Sequence, residues 1–332
     1  MKSLPPLVVE VTRSGRVESR HLVDAVIADA SGKLHTLHGD AARPVFPRSS
    51  IKALQALPLV ESGAADAFGF GQAEIALACA SHHGEKIHVD GAAAMLTKAG
   101  LGPQCLECGA HWPRHERARN ALVLAGKEPS ALHNNCSGKH AGFLAFAAHS
   151  GIPTRGYVGL DHPVQKAIAA TLAETTGAPH EPANHGIDGC SIPTYAIPLR
   201  NLAVAFAKFG VGEGGGPQRS KAMLRIRDAC FAFPQMISGS GGADTEIMSA
   251  LKGRAFTKTG AEGVYVAALP ERGLGIALKA RDGATRASES AVAMLIESCL
   301  NLEDAALNTL NRIRNPVLAN WNSIEVGEVR TA

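Results

Sequence analysis

The chain has 332 residues, about twice the ~150 of a typical domain, so it holds one large domain or two ordinary ones. Hydrophobic residues make up 45% and charged residues 19%, against a usual ~25% charged, and the net charge is +3. These values exclude a disordered or coiled-coil protein and, with no dense Lys/Arg run, give no sign of nucleic-acid binding. No apolar run reaches the ~18 residues of a membrane helix. The start, MKSLPPLVVEVTRSG, has too short an apolar core for a signal peptide, so the expected location is cytoplasmic.

The first 40 residues have β texture. Val8 to Thr12 alternate, Arg13-Ser14-Gly15 reads as a turn, His21 to Ala28 is a second β-compatible run, and Ser31-Gly32-Lys33 is another turn. From Ser49 a helix is predicted, bent or ended by Pro58. The apolar run 73–80 fits a buried helix or a strand, and periodicity alone does not separate them. Residues 90–99, 161–176 and 194–209 are Ala/Leu-rich helix candidates, and 212–217 and 238–242 are glycine-rich loops. After Phe256 the texture returns to β, with two strands around Pro270-Glu271-Arg272-Gly273, and a helix follows over 286–301. The last 15 residues show no pattern. Strands, a helical middle and strands again predict an α/β unit. Its sheet comes from both chain ends (about 1–45 and 254–332), with a helical lobe inserted (about 46–253).

Three clusters could carry chemistry. Ser49-Ser50-Ile51-Lys52 is S-x-x-K, and on a helix positions i and i+3 share a face. A desolvated, neutral Lys52 could take the Ser49 proton and make the serine a nucleophile. The plainer reading is an N-capping serine beside a solvated lysine, and a second S-x-x-K, Ser249 to Lys252, shows how easily the pattern arises. Lys258-Thr259-Gly260 strengthens the catalytic reading, because S-x-x-K and K-T-G in this order belong to serine β-lactamases and penicillin-binding proteins. The middle S-D-N is absent, and its nearest counterpart is Ser81-His82-His83. The other two clusters concern thiols. The 7 cysteines are an odd number, which favours free thiols or metal ligands over a disulfide framework. Cys136, Lys139 and His140 fall within HNNCSGKHAGF, and Cys190 falls within NHGIDGC; without C-x-x-C spacing these read first as buried structural thiols. Cys105-x-x-Cys108 with His111 and His115 resembles half a zinc finger with too short a loop, and reads as unconnected residues.

Taken together, FPRSSIKALQALPLVESGAAD, ALACASHHGE, LECGAHWP, HNNCSGKHAGFL, GIDGCSIPTYAIPL and FTKTGAEGVY resemble the Rhizobium etli-type (thermolabile) L-asparaginases, from about residue 8 to beyond 300. The resemblance implies a serine β-lactamase/glutaminase-like fold and two Ser-Lys pairs, Ser49 with Lys52 and Ser81 with Lys258. It also implies a zinc ion held by Cys136, Lys139 and Cys190 with Asp188 close by, substrate contacts from Arg48 and His140, and a homodimer. It reverses the structural reading of the two thiols. The implied activity is hydrolysis of L-asparagine to L-aspartate and ammonia through an acyl-enzyme, without nucleic-acid or membrane partners. Two other readings compete: a different serine-lysine amidohydrolase such as a glutaminase, and a non-catalytic, zinc-stabilised amino-acid-binding protein.

Overall fold

Alternating apolar residues near the start of the chain predict a half-buried strand, and the computed structural model, which describes residues 3–332, places them at the centre of a sheet. The chain forms two units. The first holds the chain up to Ser50, Ile197–Glu213 and Glu246–Ala332; the second holds Ile51–Ala196 and Gly214–Thr245.

The first unit is built on an antiparallel sheet. Its strands run in the order Val317–Ala319, Glu325–Thr331, Leu7–Arg13, Arg16–Asp29, Leu274–Ala280, Val264–Leu269 and Phe256–Thr259, with Leu34–His38 also paired to Arg16–Asp29. Val9 faces Thr331 and Val11 faces Val329, so the two chain ends are neighbours in the sheet, as the α/β reading expected. Successive side chains of a strand point to opposite faces. Leu274, Ile276 and Leu278 join a core cluster with Ala291, Val292 and Leu295 of the helix Thr285–Cys299. Gly275, between them, faces the helix Leu199–Val211, where an added Cβ would collide with the Ala203 carbonyl and the Ala207 amide. Both faces are therefore covered, which explains why every residue of Val264–Leu269 is buried and the strand does not alternate. Phe206 and Phe209 of Leu199–Val211 pack on Phe256, with centroids 5.9 and 5.0 Å away.

The second unit is helical around Ser137–His149, which is buried along almost its whole length. It packs against the helices Gln72–Ala78 and Lys86–Lys98. Gly138 permits the closest approach, since a Cβ there would strike the Leu77 carbonyl. The ambiguous run 73–80 is thus a helix. The predicted helix breaks at Ala56, between the short helices Lys52–Gln55 and Leu57–Glu61, and Pro58 stands in the first turn of the second, where its missing N–H costs nothing. The helix expected over 194–209 is corrected. Pro193–Tyr195 and Ile197–Pro198 are extended and the helix starts at Leu199, because prolines 193 and 198 hold the preceding residues out of helical geometry. Among the described residues no helix is long and apolar enough to cross a membrane.

Candidate active site

In the second unit, Lys52 opens the helix Lys52–Gln55 and is fully buried. Its Nζ donates to Ser81 Oγ at 2.9 Å and to the Ala80 carbonyl. Burial pushes its amine below the ordinary lysine value; the Lys139 cation adds to this, while Cys136 and Cys190 oppose it. An amine so disposed reaches its neutral, proton-accepting form more readily than a solvated lysine does. Ser81 sits in an extended turn that follows Gln72–Ala78. The amides of Ser81, His82 and His83 donate to the carbonyls of Ile237, Asn135 and Ser238, at 2.8, 3.2 and 2.9 Å.

A thiol cluster adjoins this lysine. Cys136 stands immediately before Ser137–His149. Cys190 is delivered by the turn between the paired strands His185–Ile187 and Pro193–Tyr195. Asp188 shapes that turn: its amide donates to Ile192 O (2.8 Å), its carbonyl accepts from Ser191 N (2.9 Å), and its Oδ1 accepts from Gly189 N (2.7 Å). Ser191 is left with φ +75°, a left-handed conformation that costs a residue with a Cβ. Lys139 Nζ then lies 3.1 Å from Cys190 Sγ. Cys190 and Lys52 are close enough to the buried Cys136 to pull its thiol down. The Cys190 thiol supplies the main stabilisation of a Cys136 thiolate, against the cost of burial, so Cys136 is driven well down and Cys190 up. Burial by itself would lower the Lys139 amine, but the Cys136, Cys190 and Asp188 charges outweigh it and its net direction is up. The neutral lysine anticipated for a metal ligand is therefore not what the thiols alone favour. Among the described residues no group of three or more His, Cys, Asp or Glu side chains is placed to hold a metal ion. At this cluster the third group beside the two sulfurs is the lysine amine.

His140, the next residue along, is fully buried and is held well below the ordinary histidine value, first by burial and then by Lys139 and Lys52. Tyr157 Oη accepts from Glu107 N (3.0 Å) and lies 2.7 Å from His140 Nδ1. The buried Nε2 of His140 has no hydrogen-bond partner among the described residues.

The remaining candidates lie in the first unit. Ser49 is half-buried in the turn Arg48–Ile51, after Arg48 at φ +52°. Lys258 is fully buried near the end of Phe256–Thr259, with Nζ 2.9 Å from the Thr259 carbonyl. The K-T-G glycine has a steric reason. A Cβ on Gly260 would stand 2.5 Å from the Pro47 carbonyl and 3.2 Å from the Ser50 amide, so only glycine lets the strand end close on the turn that carries Ser49. The border between the units falls between Ser50 and Ile51, inside the S-x-x-K segment. Within the second unit the structure brings together Lys52, Ser81, Cys136, Lys139 and Cys190, and the lysine bonded to Ser81 there is Lys52. Sequence reasoning did not assign Tyr157 or His82, although the His82-His83 doublet beside Ser81 was a visible signal.

The other patterns have structural explanations. The second S-x-x-K ends on exposed Lys252, just past the helix Ala243–Leu251. Burial pushes the Cys108 thiol up to about 12. His111 accepts from Asn135 N (2.8 Å), and His115 caps the helix Glu116–Leu124.

With this geometry in view, comparison with known families is decisive: the profile of the L-asparaginase II family matches residues 9–331. The chain belongs to that family. It is accordingly an amidohydrolase of the Rhizobium etli type of L-asparaginase. A search of curated proteins finds no match. Similar solved structures include Mglu (16% identity, 85% of this chain and 68% of that one, TM-score 0.38) and a β-lactamase from Mycobacterium bovis (16%, 84% and 95%, 0.39). A third is the D-alanine carboxypeptidase AmpC from Burkholderia cenocepacia (12%, 88% and 92%, 0.37). Likeness this distant adds nothing to the L-asparaginase II assignment, which rests on the family match alone.

Proposed function

We propose that this L-asparaginase II family member hydrolyses L-asparagine to L-aspartate and ammonia through a serine ester, using Ser49, Lys52, Ser81 and Lys258. The observation that carries the reading is the buried Lys52 amine donating to Ser81 Oγ, with burial lowering its proton affinity. Ser49 Oγ bonds to the side-chain amide carbon as its proton passes to Lys52. Ser81 and Lys258 relay a proton to the departing nitrogen, and the C–N bond breaks with release of ammonia. Water then attacks the ester carbon, aspartate leaves, and the serine regains its proton. Arg48 and His140 contact the carboxylate end of the substrate, and Asp188 its ammonium. A glutamine held by the same end groups would have its amide carbon misplaced by about one C–C bond.

Cys136, Lys139 and Cys190 would hold zinc. Two sulfurs and an amine converging in a buried site are a donor set that suits this ion. The ion would supply a divalent charge that keeps both thiols ionised and attracts the amino-acid end of the substrate. We also read the protein as a cytoplasmic homodimer.

Ammonia release from asparagine, glutamine and buffer tests the activity: turnover of asparagine is expected, and its absence overturns the reading. Ser81 is the second candidate nucleophile because it holds the bond to Lys52. Mass spectrometry of the trapped acyl-enzyme decides between the serines, with an ester on Ser49 expected. Elemental analysis should return zinc in the wild type and not in Cys190→Ser.

A further inference from the structure

The turn that carries Ser81 is held by more than its own backbone. Gly84 N donates to His82 Nδ1 at 3.1 Å, so Nδ1 is unprotonated and the imidazole hydrogen sits on Nε2. Nε2 lies 2.9 Å from Ser137 Oγ and donates to it. His82 and Ser137 are both fully buried. The ring also stacks on His88, with centroids 4.8 Å apart and planes 3° from parallel, and His88 Nε2 is fixed by the Gln235 carbonyl at 2.9 Å. Each end of the His82–Ser137 bond neighbours a residue with a proposed role. His82 follows Ser81; Ser137 follows Cys136 and begins the helix that carries Lys139 and His140. An apolar side chain would fill this space without the cost of burying an imidazole, so the polar atoms are retained for their bonds.

We propose that His82 is a positioning residue, a strut from the Ser81 turn to the first turn of Ser137–His149 that sets Ser81 and Lys52 against the Cys136–Lys139 side of the site. This rests on the serine-lysine reading above. A strut of this kind acts on the reaction through geometry, because small displacements of reacting groups cost rate steeply.

Asparagine and glutamine side chains separate the strut from simple space-filling. In His82→Asn the side-chain oxygen still accepts from Gly84 N but does not reach Ser137; in His82→Gln the amide reaches Ser137. His82→Asn and Ser137→Ala are each expected to lower kcat for asparagine by about 10- to 100-fold with KM within about threefold. The double variant should be no worse than either single one, and His82→Gln should recover most of the rate. Additive losses, or equal loss in the Asn and Gln variants, would overturn the proposal. A second measurement needs no turnover and no variant of His82. In ¹⁵N imidazole NMR, His82 should be the Nε2–H tautomer, with its ring proton protected from exchange, and Ser137→Ala should abolish that protection. An Nδ1–H or doubly protonated ring, or protection unchanged in Ser137→Ala, overturns the strut even if asparagine is hydrolysed. Absence of wild-type turnover with the NMR signature present overturns the asparaginase reading instead.

Discussion

The two units handle buried charge in opposite ways. In the first, one buried carboxylate is neutralised in place. Asp24 is fully buried, and its carboxylate accepts from Arg281 (2.7 and 3.0 Å), Arg43 (3.2 Å) and the Asp40 amide (3.2 Å). In the second unit, charge is withheld or shared. Lys52 donates to a carbonyl and a hydroxyl and is driven down by burial despite the nearby thiols, whereas Lys139, equally buried, lies against the Cys190 sulfur with the charges of Cys136 and Asp188 close by and is driven up. Burial alone therefore does not set the state of a lysine; the charge of what it faces does. The first arrangement is a structural joint. The second is a set of groups whose proton affinities are shifted by burial and by one another.

This contrast breaks most visibly at Lys52. Lys52→Met should preserve the fold and reduce asparagine turnover by about 10³-fold, since it removes the proposed base; ammonia release measures it, and near-wild-type turnover would put the base elsewhere. The matching change in the first unit is Asp24→Asn. It should cost about 2 kcal/mol in urea denaturation, because two guanidinium groups lose their charged acceptor, while turnover of the folded protein stays unchanged.

Acid should act on the second unit. His82, His83 and His88 are all lowered, in each case chiefly by burial. The folded state thus binds protons less readily than the unfolded chain. Their contribution is intact above the ordinary imidazole value of about 6.5 and is lost as pH falls below it. His82, the most strongly lowered of the three, carries the largest share of that loss. Urea midpoints at pH 7.5 and 5.5 measure the fall, and a flat profile would contradict neutral buried rings. The smallest effect is expected at the Cys190 turn. Ser191→Gly relieves the left-handed backbone at the expense of unfolded-state entropy, and should stabilise by up to about 1 kcal/mol in the same measurement.

Much of the fold was readable from residue pattern, because it depended on local chemistry. The β texture of 8–28, the strands around Pro270–Gly273, the break near Pro58 and the helix near 286–301 all follow from periodicity or from proline and glycine. The strand Glu325–Thr331 was not readable. It is charged, only Val329 is fully buried, and it exists through its pairing with Leu7–Arg13. Leu199–Val211 carries an ordinary helical pattern that says nothing of which unit it joins; Gly275 and Gly210 supply the close fit to the sheet that places it in the first.

For the site, the sequence by itself determined the residue types and the family. S-x-x-K, K-T-G and the cysteine-bearing segments are local strings, and a match over residues 9–331 needs only their order and spacing. Tertiary structure alone decided which groups meet. Lys52 and Ser81 are 29 positions apart and Lys139 and Cys190 are 51 apart, yet each pair is in hydrogen-bond contact. Such contacts depend on how helices pack and turns close, as at Gly138 and Asp188. The proton affinities depend on those contacts in turn, so no reading of a one-dimensional chain could have told the two buried lysines apart.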